Sequence, residues 1–249
     1  LDEISIIGDV ARSRETPVAF TTILPEQIEE RLAGQDIPMI LNKTPGVYAS
    51  EQGGGDGDAR ITIRGFSQRN VAVMLDGIPV NDMENGWVYW SNWFGLDAVT
   101  RSIQVQRGLG ASKLALPSVG GTINILTKGI ENKRSFSIGQ SVDNNGKFTT
   151  NLGYNSGMLK GGWSFTLAGA YKAGYGWVDK TSVKAAFFFA KIDKMWGNHI
   201  TSITGFGAPQ THSQHSYKRA IAAYDTSYAK EHGVSSEDFP VILNRGIPY

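Results

Sequence analysis

The segment from Asn81 to Phe94 reads Asn-Asp-Met-Glu-Asn-Gly-Trp-Val-Tyr-Trp-Ser-Asn-Trp-Phe, with five aromatics in eight positions: Trp87, Tyr89, Trp90, Trp93 and Phe94. Rings offered beside Asn81, Asp82 and Asn92 suit ligands with flat apolar faces and polar edges, such as sugars, peptides or aromatic groups. The same rings also suit packing against a neighbouring protein surface, and the spacing leaves both readings open. A second segment, from Glu51 to Asp58, is rich in Gly and carries Gln52, Asp56 and Asp58. No Gly-Lys-Ser/Thr follows it, so it is not a phosphate-binding loop. Asp56 and Asp58 could contribute to a cation site, yet the remaining ligands of an EF-type loop are missing. It reads as a mobile loop.

Catalytic constellations are absent from the sequence. The four histidines are His199, His212, His215 and His232. His212 and His215 stand three apart in a polar stretch read as a loop, but no acidic third ligand is near. There is no cysteine, which excludes disulfides and thiolate metal sites. No Gly-x-Ser-x-Gly nucleophile turn occurs. No metal, no cofactor and no catalytic residue is therefore expected, and the chain does not read as an enzyme. Its 24 basic and 23 acidic residues leave a net charge of +1, too little to hold nucleic acid along a groove.

The elements that must position these segments fall into two halves. Up to about Lys128 the pattern is mixed α/β. Pro25 with Glu26 beside it suits a helix start, continuing to Leu32. Asp36 could cap a second short helix with Pro38 in its first turn, ending before Pro45-Gly46. Short β-rich runs follow at 60–64, 71–75, 103–107 and 122–127. Asp76-Gly77 reads as a turn in which Asp bonds its own backbone and Gly takes positive φ. Gly120-Gly121 suits close backbone approach before the last run.

After about Lys133 polar and apolar residues alternate, as in Lys147-Phe148-Thr149-Thr150-Asn151-Leu152-Gly153-Tyr154. Strands are expected at 133–142, 147–154, 162–172, 182–193 and 199–208, with a long polar loop from Pro209 to Tyr249. Aromatics gather near the run ends: Tyr154, Trp163, Tyr171, Tyr175, Trp177 and Trp196. Runs of this length with aromatic ends fit tilted membrane-crossing strands, and they fit a soluble antiparallel sheet as well. No apolar run of about 18 residues exists to form a spanning helix. The Leu1-Asp2-Glu3 start lacks the pattern of a secretory signal.

Four motifs in the first half settle the choice between those readings. Ile63-Arg64-Gly65 is followed by Leu75-Asp76-Gly77-Ile78-Pro79, then Ile103-Gln104-Val105-Gln106-Arg107-Gly108, then Gly120-Gly121-Thr122-Ile123-Asn124-Ile125-Leu126-Thr127-Lys128. In this order they closely resemble the plug domain of TonB-dependent receptors. Later, residues 204–210 resemble an early strand end of some large receptors of that family. The stretch Gly108-Leu109-Gly110 and the segment near Leu114 to Pro117 depart from the family pattern.

The resemblance implies an α+β plug domain followed by antiparallel transmembrane β-barrel strands, a fragment of a barrel of about 22 strands. It implies a TonB-box-like segment at 1–12, a plug at 13–130, and about five barrel strands with extracellular loops at 131–249. The plug would lodge inside a pore whose wall begins directly after it. Arg64 and Arg107 would present guanidinium forks to wall carboxylates. Gly65, Gly77, Gly108, Gly120, Gly121 and Asn124 would serve the motif turns and the plug–barrel fit. The loops holding Gln52, Asp56 and Asp58, and Asn81, Asp82, Trp87, Tyr89, Trp90, Asn92 and Trp93, would meet the ligand. Asp2, Glu3, Ile4, Ser5, Ile6 and Ile7 would add as a strand to TonB; an ordinary first plug strand is the other reading. The implied activity is energised import of a siderophore, glycan or peptide across a Gram-negative outer membrane. Implied partners are TonB with its inner-membrane complex, outer-membrane lipid, the imported ligand and a surface lipoprotein. A receptor-like adaptor subunit without transport is the alternative.

Overall fold

A computed structural model describes residues 19–32, 34–52, 54, 56–57, 59–108, 118–213, 221–223 and 225–235. The chain divides into two compact units, 1–214 and 215–249. The second holds a 3-10 turn at Ile221–Ala223 and a helix, Thr226–Glu231, capped by Asp225, whose carboxylate accepts from the Ser227 and Tyr228 amides.

The larger unit opens with β1 (Ala19–Ile23), α1 (Pro25–Leu32) and α2 (Ile37–Ile40), the last running into a 3-10 turn at Leu41–Lys43. Asp36 occupies the cap position of α2, but its side chain makes no capping bond. The reason is local. Pro38 has no N–H at the second helical position, and the third, on Met39, is taken by the Asp36 carbonyl at 2.9 Å.

Two sheets follow in the same half. β2 (Val47–Ser50), β3 (Arg60–Ile63) and β4 (Phe66–Ser67) form a three-stranded antiparallel meander. β5 (Val71–Leu75), β6 (Ile78–Pro79), β7 (Thr100–Arg107) and β8 (Gly121–Thr127) join β1 in the order β1-β7-β8-β5-β6. β5 and β8 run parallel, and every residue of both is buried. Covered on both faces, they need no polar alternation. Leu41, Ile61, Ile63, Ile103 and Ile123 are among the largest fully buried side chains of this core. Each contributes about 1.5–3 kcal/mol relative to an exposed position.

The third sheet is a meander of β9 (Ser135–Val142), β10 (Phe148–Asn155), β11 (Trp163–Tyr175), β12 (Ser182–Trp196) and β13 (His199–Gly207). All five strands lie within a few residues of the spans expected from alternation. The chain does not leave the sheet at Pro209. It bends there and resumes as β14 (Gln210–His212), paired with Val183 to Ala185 of β12, so His212 lies in a strand and not in a loop. His215 is outside the described residues.

The polarity of this sheet is the reverse of a soluble one. On β11 the buried face carries Ser164 at 0% and Thr166 at 2% exposure, while Phe165 and Leu167 are 37% and 52% exposed. On β12, Phe187 and Phe189 are 4% and 2% exposed, and Phe188 between them is 60%. The inward face rests on the first half, and Phe187 and Phe189 join its apolar core. The outward face is a continuous apolar band that includes Ile138, Leu152, Leu167, Phe188, Ile192 and Ile203. Apolar outside and polar inside is the arrangement lipid requires of a barrel strand.

Candidate functional site

The seam between the first half and the third sheet is built from charged side chains on both sides. Asp56 sits buried in the Gly-rich loop and accepts from two wall lysines, Lys147 of the β9–β10 turn at 3.3 Å and Lys172 of β11, closer still. The Gly54 carbonyl accepts from Val178 N at 3.2 Å and from the Thr181 hydroxyl at 3.1 Å. At the other end of the sheet, Lys191 donates to Asp76 at 3.3 Å and to Thr127 at 2.9 Å. Asn155 Nδ2 donates to the Gly129 carbonyl at 2.7 Å, fastening the connection between the two halves. A cleft of about 470 Å³ opens beside this end, lined by both charged and apolar side chains, among them Asp76, Lys191, Asp193, Ile78 and Phe206.

The sequence motifs supply the geometry of that seam. Arg64 and Gly65 have φ of 52° and 83°, and Asp76 and Gly77 have 49° and 81°. Each pair closes a two-residue hairpin, β3 to β4 and β5 to β6, as positive φ at both positions requires. The Asp76 side chain does not bond its own backbone. It accepts from Thr127 N at 2.8 Å and from the Thr127 hydroxyl at 2.5 Å, which aims its second oxygen at Lys191. Asn124 Oδ1 accepts from Gly77 N at 3.2 Å and holds the same turn from below. Gly121 brings β8 against β7 so closely that a Cβ would stand 2.3 Å from the Gln106 carbonyl oxygen. A Cβ on neighbouring Gly120 would stand 2.7 Å from that of Phe66.

Residues 12–122 match the family model described as TonB-dependent Receptor Plug Domain. The chain carries a TonB-dependent receptor plug. Over 148 residues it is 26% identical to the vitamin B12 transporter BtuB of Vibrio vulnificus, covering 57% of this chain and 24% of that one. It is 29% identical over 172 residues to a probable TonB-dependent siderophore receptor, PirA, of Acinetobacter baumannii, covering 62% and 23%. The chain thus spans about a quarter of the length of these curated relatives. Its fold matches the Pseudomonas aeruginosa pyoverdine receptor FpvA with a TM-score of 0.68 at 17% identity, over 81% of this chain and 26% of that one. The ferric citrate transporter FecA matches with a TM-score of 0.58 at 23% identity, over 77% and 31%.

Among the described residues, the side chains singled out in the sequence have these partners. Arg64 and Arg107 meet no wall carboxylate among the described residues. Arg107 Nη1 donates to the Pro45 carbonyl at 3.1 Å, inside the plug, and its Nε is buried without a partner. Arg64 lies across Gly108, where a Cβ would stand 2.8 Å from its Nη1. The ion pairs that do cross the seam have the opposite sense: wall lysines reach plug aspartates. Burial explains this, because the side chains of Lys147, Lys172 and Lys191 are largely enclosed and a cation so placed needs an anion within reach.

The Gly-rich loop is likewise not the loose tip it resembles. Its described residues Gly54, Asp56 and Gly57 are buried, and Asp56 is consumed by Lys147 and Lys172. Gln52 is exposed; Asp58 lies outside the described residues, as do Asp2 to Ile7.

In the aromatic segment, most of the side chains expected to face a ligand are committed elsewhere. Trp90 is 3% exposed and donates from Nε1 to Gln68 at 3.1 Å. Trp93 packs on wall residue Phe206 with ring centroids 5.8 Å apart. Lys172 lies 4.3 Å over the ring of Phe94. Asn81 accepts from Val73 N and donates to the carbonyls of Val71 and Gly86, and Asp82 accepts from the amides of Glu84 and Asn85. These residues shape the segment. Tyr89 and Asn92 remain exposed, and Trp87 is half-buried with the guanidinium carbons of Arg60 and Arg69 at 4.6 and 4.8 Å from its ring centroid. The two arginines carry no sequence signal of their own; only the folded β3 and the 68–70 turn bring them to Trp87.

A cluster of acids completes the seam. Asp36 Oδ2 is buried without a partner, and burial raises its pKa from 3.8 to about 6, reinforced by the charge of Asp56 and opposed by Lys172. Burial also raises Glu51 and Asp97. A small polar cavity of about 30 Å³ lies here, lined in part by Asp36, Asp97, Asn151 and Lys172.

Proposed function

We propose that the chain forms the plug and adjoining wall of an outer-membrane importer that TonB energises from the periplasm. The observation that carries this reading is the apolar outward face of β9 to β13, set against wall lysines Lys147, Lys172 and Lys191 that pair inward with the plug. A soluble sheet packed on the same core would present water with polar side chains. The wall end bearing residues 143–147 and 176–181 faces the exterior, so Gly54 and Asp56 lie beneath an outer loop and Tyr89 and Trp87 belong to the ligand-facing side. Cargo is a compact nutrient of the kind the relatives' names describe, a siderophore or a cobalamin, with glycans and peptides as further classes. Residues 13–130 act as the gate, and residues 2–7 offer an extended segment for strand addition to TonB.

Cells that carry the intact receptor are expected to accumulate labelled cargo only while the proton gradient is maintained. Deleting residues 1–7 is expected to stop accumulation while leaving ligand binding at the surface unchanged. Accumulation that persists after the deletion would refute the TonB assignment. Binding without energised uptake in the undeleted receptor would instead make the chain part of a non-transporting adaptor.

A further inference from the structure

Two arginines share one indole, and nothing in the seam uses them. The guanidinium carbons of Arg60 and Arg69 lie 4.6 Å and 4.8 Å from the centroid of Trp87. The negative face of an indole attracts a cation, which lets two like charges gather where they would otherwise repel. Among the described residues neither guanidinium is in an ion pair. Arg60 donates to a neutral partner, the Ala59 carbonyl at 3.4 Å.

The ring that gathers them is fixed in place. Trp87 N donates to Asn85 Oδ1 at 2.8 Å, and the Trp87 carbonyl accepts from Asp82 N at 2.7 Å. Asn81 bonds Val71, Val73 and Gly86, tying the whole 81–87 loop to the edge of β5. A guanidinium held by a ring keeps N–H groups for a planar anion, and its fork matches carboxylate and phosphate oxygens in pairs. Because one fixed ring holds both guanidinium groups, an anion reaching this site meets donors that are already ordered. Arg69 and Tyr89 are exposed, and Arg60 is half-buried.

We propose that Arg60 and Arg69, held on Trp87, form an oxyanion subsite that selects cargo bearing carboxylate or phosphate groups. That the bound anion is cargo rests on the import reading; that the subsite binds oxyanions does not. The test uses the intact receptor in detergent, titrated calorimetrically with citrate and with inorganic phosphate at fixed ionic strength, and with glycerol as the neutral control. Saturable binding of at least one anion is expected, with none of glycerol. Arg60→Gln and Arg69→Gln are each expected to weaken it roughly tenfold, the loss of one charge-assisted hydrogen-bonded contact. Arg69 is exposed, so its variant keeps the fold. Trp87→Phe, which retains a ring face, is expected to stay within about threefold, and Trp87→Ala to fall with the arginine variants. The proposal is overturned if neither anion binds saturably, or if Arg69→Gln binds as the parent does. Energised uptake measured in parallel keeps the two readings apart. A receptor that imports yet binds no anion loses this subsite alone, and one that binds anions without energised uptake loses the import reading alone.

Discussion

Asp76 and Lys191 stand 115 residues apart in sequence and 3.3 Å apart across the seam. The contact depends on the Asp76-Gly77 hairpin, which turns the carboxylate toward both Thr127 and the wall. Removing the carboxylate leaves Lys191, whose side chain is 9% exposed, without its anion, and strands the Thr127 amide. Asp76→Ala is expected to destabilise the plug by about 2–4 kcal/mol, read from denaturant melts. Lys191→Met in the same background is expected to recover part of that loss, since the buried cation is then gone too. Equal stability of parent and Asp76→Ala would show the contact to be idle.

Trp93 and Phe206 make the corresponding apolar contact. Trp93→Ala and Phe206→Ala are each expected to lower stability, and the double variant to lose less than their combined effects by about 0.5–1.5 kcal/mol. Ligand affinity of the Trp93 variant, measured on the folded fraction, is expected to stay near the parent value.

A pH dependence follows from Asp36. Its folded pKa, about 6, is above the ordinary 3.8, so the folded plug binds the proton more tightly than the unfolded chain does. Its contribution is therefore fully present below about pH 4 and is lost as pH rises through 6, an amount on the order of 2–3 kcal/mol. Glu51 and Asp97 are raised as well and act in the same direction. Urea melts between pH 4 and 7 are expected to show stability from this cluster falling with pH. Asp36→Asn should flatten that slope and leave the plug more stable at pH 7.

The outward face of the wall tests the membrane assignment directly. Leu167→Arg places a charge in the apolar band and is expected to cost about 2–4 kcal/mol of folding into lipid vesicles if it lies near the bilayer midplane. Heat-modifiable gel mobility reads the folded fraction. A chain whose outer face meets water would fold unchanged or more soluble with the same substitution.

Much of this architecture is legible in the residue order. Period-two alternation marks the first three wall strands, which divide apolar from polar residues between their two faces; on β12 the run Phe187-Phe188-Phe189 is apolar on both faces, and its register was decided by the plug core that Phe187 and Phe189 join. The turns are legible through Gly65 and Gly77, which take positive φ freely, whereas the Asp76 conformation is held by the remote Thr127 and Asn124. Breaks came where a side chain had two valid partners. Asp36 reads as a helix cap, yet Pro38 withholds the amide it would accept from. Gln210 to His212 read as a loop, yet the edge of β12 was available to pair them.

The sequence by itself determined where the wall strands run, that Asp76-Gly77 turns, and that the chain carries a TonB-dependent receptor plug; the pairing of the plug strands came from the fold. Only the tertiary structure decided what each functional side chain faces. Trp87, Trp90 and Trp93 are chemically alike and six residues apart at most, but one lies beside two arginines, one is sealed in the plug and one packs on the wall. The direction of the seam's ion pairs was decided the same way. A charge is satisfied by whatever the fold brings within a few ångströms, and that neighbour is usually remote in sequence, as Lys172 is from Asp56.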